Sequence, residues 1–95
     1  MSLLYTLIEY LHNTSGSCTV YGSAGTYTGS ATISVSGDTI NLLCNFTPDA
    51  NDTVTGADFN FSTCLGELTH SASFNRPVAA GLAHVVVVTI RVSRV

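Results

Sequence analysis

The side chains able to do chemistry in this chain are few and scattered. Histidines stand at 12, 70 and 84, and cysteines at 18, 44 and 64. None of the histidines has a carboxylate or a second histidine at the helical spacing of a zinc site such as H-E-x-x-H. His84 opens an apolar strand pattern, which predicts a hydrogen-bonded structural histidine. Serine is plentiful, yet no G-x-S-x-G elbow raises one as a nucleophile. Cys64 and His70 are a thiol–imidazole pair by type, but no basic neighbours in sequence lower the thiol pKa. Asp49, Asn51 and Thr53 alternate as in the first half of a calcium loop. The sixth position is then Val54 rather than glycine and the twelfth is Asn60 rather than glutamate, so the segment reads as a polar turn, with a weak intersubunit calcium site as the alternative. The glycines at 22, 25 and 29 match neither a dinucleotide fingerprint nor a P-loop. The expectation is therefore no catalytic residue, no cofactor and no resident metal.

The cysteines are odd in number, with gaps of 25 and 19 residues between them. That is not a disulfide framework, and no C-x-x-C zinc signature is present. Free, mostly buried thiols are expected, with one disulfide as the alternative, and unstapled thiols point to a reducing site of synthesis. Asn13, Asn45, Asn51 and Asn60 each begin an N-x-[ST] triplet. In a chain with 13 threonines and 11 serines such triplets arise by chance, and Asn45 and Asn60 fall in strand patterns.

These residues must be positioned by elements that the pattern of apolar side chains predicts. Leu3, Leu4, Leu7, Ile8 and Leu11 recur at helical spacings behind a capping Ser2, so residues 2–12 read as an amphipathic helix. Its stripe must lie on something, either the domain's own sheet or a neighbouring subunit. Residues 17–30 read as one or two short strands broken by a glycine-rich turn at Gly22–Gly25. Residues 30–46 carry the clearest signal. Ala31, Ile33 and Val35 alternate with polar residues, then Ile40, Leu42, Cys44 and Phe46 do the same after Gly37-Asp38. A two-residue turn there sets Val35 opposite Ile40, Ile33 opposite Leu42 and Ala31 opposite Cys44, all on one face. Glycine in the first central position suits a type II′ turn. Leu43 breaks the polar face and is a candidate contact residue.

Residues 47–56 read as a loop and 57–65 as a strand with Phe59 and Phe61 on one face. A short strand over Thr69–Phe74 is followed by a turn at Asn75-Arg76-Pro77. The last strand, within 82–95, sets Val86, Val88, Ile90 and Val92 on one face and Val85 and Val87 on the other. A segment apolar on both sides is expected to be paired on both sides, within the subunit or between subunits. The fold class is mainly β: a small antiparallel β-sandwich or barrel of about six strands with one N-terminal helix, in one domain over 1–95 (helix 2–12, β-domain 17–95).

Composition narrows the partners. Nine of the 95 residues carry a formal charge, none of them lysine, and the net charge is −3, against about 25% charged residues in an average domain. Three arginines, Arg76, Arg91 and Arg94, do not neutralise enough phosphates for nucleic-acid binding. The longest strongly apolar run, Val85–Val88, is far short of the roughly 20 residues of a membrane-spanning helix. The N-terminal stretch lacks a basic n-region and carries Glu9, so no cleaved leader is expected.

A domain of this size without staples gains stability from association, and few charges need desolvating at an interface. The expected function is a non-enzymatic, self-assembling structural subunit, a homo-oligomer such as a trimer. In size, Ser/Thr/Gly richness and lack of a catalytic motif, the chain resembles the decoration (cement) proteins of tailed-bacteriophage heads. That resemblance implies a major capsid protein as partner, a virion-surface location after synthesis in the host cytoplasm, and a mechanical role bridging shell subunits. The residues expected at subunit or partner contacts are Leu3, Leu4, Leu7, Ile8, Leu11, Leu43, Val85, Val87, Arg91 and Arg94. The alternative is a secreted or surface binding module, of glycan-binding or calcium-dependent adhesin type, in which Tyr5, Tyr10, Tyr21 and Tyr27 stack on sugar rings.

Overall fold

The computed structural model describes residues 15–63 and 66–91. They form six antiparallel strands: β1 (Ser15–Gly22), β2 (Thr26–Ser36), β3 (Thr39–Phe46), β4 (Asp52–Thr63), β5 (Gly66–Val78) and β6 (His84–Arg91). The helix expected over 2–12 lies outside the described residues.

The strands make one nearly closed, barrel-like sheet in the order β5-β4-β1-β2-β3-β6. The run β4-β1-β2-β3 is a Greek key: three strands joined by hairpins, with the next returning beside the first. The β2–β3 hairpin has the register that alternation and turn chemistry predict, with Val35 opposite Ile40, Ile33 opposite Leu42 and Ala31 opposite Cys44. Gly37 adopts a φ of 61°, the left-handed conformation that the first central turn position demands. The glycine-rich turn also forms, with Gly22 N–H donating to the Gly25 carbonyl at 2.8 Å.

Two expected boundaries are corrected. The loop at 47–56 is shorter, because β4 already begins at Asp52. Thr53 and Thr55 point out while Val54 is fully buried, and a register shift between Val54 and Gly56 bends the strand there. The turn at Asn75-Arg76-Pro77 does not exist: these residues continue β5, with Arg76 opposite Val54 and Pro77 opposite Thr53. Proline survives because β5 is an edge strand that need not donate outward from that position. The last strand, expected to be paired on both sides within the subunit or between subunits, is paired on one side among the described residues. β6 joins β3 throughout its length and is the opposite edge of the sheet.

The expectation of free thiols is also overturned, because Cys18 and Cys44 form a disulfide. The reason lies in curvature, which spacing does not carry. Cys18 is opposite Gly29 of β2, and Cys44 is opposite the neighbouring inward residue Ala31. The bridge therefore spans β2 and ties β1 to β3. Strands two apart in a flat sheet are about 9.6 Å from each other, twice the usual spacing, yet these Cα atoms are 6.0 Å apart. The sheet closes up so sharply at Gly29 that a side chain there would collide with the Asn45 carbonyl and the Phe46 Cβ. Gly29 and Ala31 are small enough to pass beneath the sulfurs. Cys64 lies outside the described residues.

Inside the barrel, Val20, Ile33, Leu42, Phe46, Val54, Phe59 and Phe61 are almost wholly excluded from water around the disulfide. Val35, Ile40, Leu68, Ala72, Phe74, Val88 and Ile90 pack against this core but stay half-buried.

Candidate functional site

Three surfaces carry side chains arranged to do something. The first is the outer face of β3 and β6. Antiparallel register sets Leu43 opposite Val87 and Asn45 opposite Val85. Val85 is 40% and Val87 55% exposed, while Leu43 is half-buried between its neighbours. Beside this patch Thr89 donates its hydroxyl to Asn41 Oδ1 at 2.9 Å. The patch adjoins the outer edge of β6, where backbone groups face away from β3 without a strand partner among the described residues. One of them is satisfied by a side chain, since Arg76 Nη1 of β5 donates to the Val85 carbonyl at 2.7 Å. This contact bridges the seam between the two edge strands. Along the seam a groove of about 350 Å³ is lined by Ala72, Phe74 and Arg76 on one side and Val86, Val87 and Val88 on the other.

The structure thus gathers Leu43, Val85 and Val87 on one surface. Arg91 lies exposed at the end of β6, opposite Thr39. Leu3, Leu4, Leu7, Ile8, Leu11 and Arg94 lie outside the described residues. Sequence reasoning missed Arg76 because its segment read as a turn, and missed Leu82, the most exposed large apolar side chain among the described residues at 59%.

The second surface is polar and lies across β1, β4 and β5. Tyr21 donates its hydroxyl to Asp58 Oδ2 at 2.6 Å, and Ser71 donates to Oδ1 of the same carboxylate at 2.6 Å. Ser71 stands directly opposite Asp58 in the β4–β5 ladder. The two donors, Ser71 first, hold the Asp58 carboxyl below its ordinary pKa, and the carboxylate in turn raises that of Tyr21. With Ser17, Thr19, Asn60 and Thr69 these residues line a shallow cleft of about 420 Å³. Tyr21 is the one described tyrosine available for stacking. Tyr27 faces inward instead, its ring centroid 6.4 Å from that of Phe46, and Tyr5 and Tyr10 lie outside the described residues.

The third arrangement centres on Asp52 at the head of β4. It accepts from Tyr27 Oη at 2.7 Å, Ser23 Oγ at 2.7 Å, the Ala24 amide at 3.0 Å and the Thr53 amide at 2.6 Å. The Tyr27 and Ser23 hydroxyls, in that order, bring its pKa down to about 2, and the same carboxylate pushes Tyr27 up to about 12. These contacts pin the β1–β2 turn onto the start of β4. Nearby, Asn51 accepts from the Ala80 amide at 2.8 Å, which commits one member of the Asp49–Asn51–Thr53 series to holding the β5–β6 connection. Among the described residues no cluster of three or more metal-ligating side chains occurs. His84 is engaged structurally: its Nε2 accepts from the Ala79 amide at 3.1 Å, and its ring lies 5.8 Å from that of Phe46.

Comparison with protein-family models, curated proteins and solved structures finds no match.

Proposed function

We propose that this chain is a non-enzymatic structural subunit that associates with copies of itself through the outer face and outer edge of β6. The observation that carries the reading is the apolar triplet Leu43, Val85 and Val87 beside a strand edge that has no partner among the described residues. An exposed apolar edge strand is a template for another chain, and in a protein this poor in charge little desolvation opposes contact. A virion shell is the setting that the likeness to decoration proteins favours, with a major capsid protein as the larger partner. The disulfide is compatible with it, because such bridges persist on virion and cell surfaces as well as in secreted proteins. Light scattering after size exclusion tests the proposal. The native protein is expected to run as a defined oligomer, and Val87→Lys as a folded monomer that still melts cooperatively, at a lower temperature because the stabilisation by association is gone. A native protein that stays monomeric at every concentration refutes it.

A second reading rests on the Tyr21–Asp58–Ser71 cleft. An exposed aromatic ring beside a fixed carboxylate and several hydroxyls is the equipment of a sugar-binding surface. Titration with chitotriose and with calcium chloride separates the two readings. Saturable binding lost in Tyr21→Ala supports the binding module, and its absence leaves the assembly reading unopposed.

A further inference from the structure

The seam between the two edge strands is a slot into the barrel wall. β5 and β6 are the two ends of the strand order, and the groove between them holds about 350 Å³. That is the small end of the range of about 300–1,000 Å³ for ligand sites. Its inward wall is apolar. Val86 is almost wholly buried, while Ala72, Phe74 and Val88 pack on the core yet stay half open to water. Apolar area left in water is a source of binding free energy for whatever covers it.

One charged side chain belongs to this wall. Arg76 stands opposite Val54 in the β4–β5 ladder. Opposite residues share a face of the sheet, and Val54 is fully buried, so Arg76 holds an inward position, the next after Phe74 along β5. An unpaired guanidinium is costly in an apolar core. The side chain instead crosses the seam, where Nη1 donates to the Val85 carbonyl at 2.7 Å. That bond uses part of a fork with five N–H donors. No carboxylate among the described residues is paired with it.

The slot therefore has apolar walls along its length and a cationic fork at one end. A tail of a few carbons covers Phe74 and Val88, and a terminal carboxylate meets the fork, whose planar geometry matches two oxygens at once. We propose that the β5–β6 seam binds a small aliphatic carboxylate, its tail between Phe74 and Val88 and its carboxylate on Arg76. The slot opens towards the barrel interior, whereas the Leu43–Val85–Val87 patch faces outward, so the site stands whether or not that patch mediates assembly.

The test is titration of the full-length protein with sodium octanoate, followed by methyl NMR of Ala72, Val86 and Val88. At ordinary ligand efficiency a ligand of about ten heavy atoms binds with a Kd on the order of 0.1–1 mM. Saturable shifts confined to the groove are expected. 1-Octanol keeps the tail and lacks the charge, and Arg76→Gln keeps the slot and lacks the charge. Each should weaken binding about tenfold, as the loss of a hydrogen bond to a charged group does. A change of less than about twofold in both refutes the proposal. No saturation by about 10 mM refutes it too, as do shifts centred on Leu43, Leu82 and Val85 instead of the groove. Groove shifts that follow protein concentration without octanoate mean that a second copy fills the seam, and the proposal fails. Should Arg76→Gln not fold, octanoate against 1-octanol on the native protein decides alone.

Discussion

Reducing the Cys18–Cys44 bond should destabilise the domain by about 3.5 kcal/mol. The two cysteines are 26 residues apart in sequence, and for a loop of that length the chain-entropy relation gives close to 12 cal/mol/K, or about 3.5 kcal/mol at 298 K. The two thiols are almost wholly buried, so the sulfurs stay in the core after reduction and no cavity forms. The loss then comes mainly from the unfolded state, which regains the freedom of the whole β2 segment. For a domain of this size each kcal/mol moves the melting temperature by about 4–8 °C, so the midpoint should fall by about 14–28 °C. The assay is urea unfolding of oxidised and reduced protein in a Cys64→Ser background, which prevents thiol exchange, with peptide mapping to verify the pairing. A loss below about 1 kcal/mol would show that the entropic account does not hold here. Peptide mapping of the protein with Cys64 in place that puts the bond at Cys64 instead would show that the curvature at Gly29 was misread.

Other outcomes follow from the same geometry. Gly29→Ala places a methyl group against the Asn45 carbonyl and Phe46 Cβ and should cost about 1–3 kcal/mol by overpacking, whereas Gly25→Ala, with open space around it, should be neutral or stabilising by up to about 1 kcal/mol; urea unfolding of the pair decides. The Asp52 pKa of about 2 lies below its ordinary 3.8. Its contribution is therefore complete above pH 3.8 and is lost as pH falls from there through about 2, and a flat melting temperature across that window in the native protein, or one as steep in Asp52→Asn, contradicts the assignment. Phe61→Ala empties a fully buried site and should cost about 3–5 kcal/mol, measured by the same denaturation. Arg76→Ala removes the bridge to the Val85 carbonyl, and hydrogen exchange of β6 should accelerate relative to β3; unchanged exchange means the seam is held by other contacts.

How much of this was legible beforehand differs by region. The β2–β3 hairpin was legible in full, because its register depends on alternation and one turn, both local properties. The outward position of Leu43 was legible for the same reason. β5 was obscured by Asn75-Arg76-Pro77, where turn-favouring residues occupy an edge strand that tolerates them. The start of β4 was hidden because Asp52 and Thr53 look like loop residues until the turn they anchor is in place.

The sequence by itself determined the secondary-structure class, the face of each alternating strand and the scarcity of charge, since each follows from residue type and neighbour spacing. Only the tertiary structure decided that Cys18 meets Cys44, that Leu43 meets Val87, that Tyr21 meets Asp58, and that β6 is an edge. Those meetings depend on which strands become neighbours and how tightly the sheet curls. Both are set by the sum of long-range pairings and by the small residues, Gly29 and Ala31, that let the barrel close beneath its bridge.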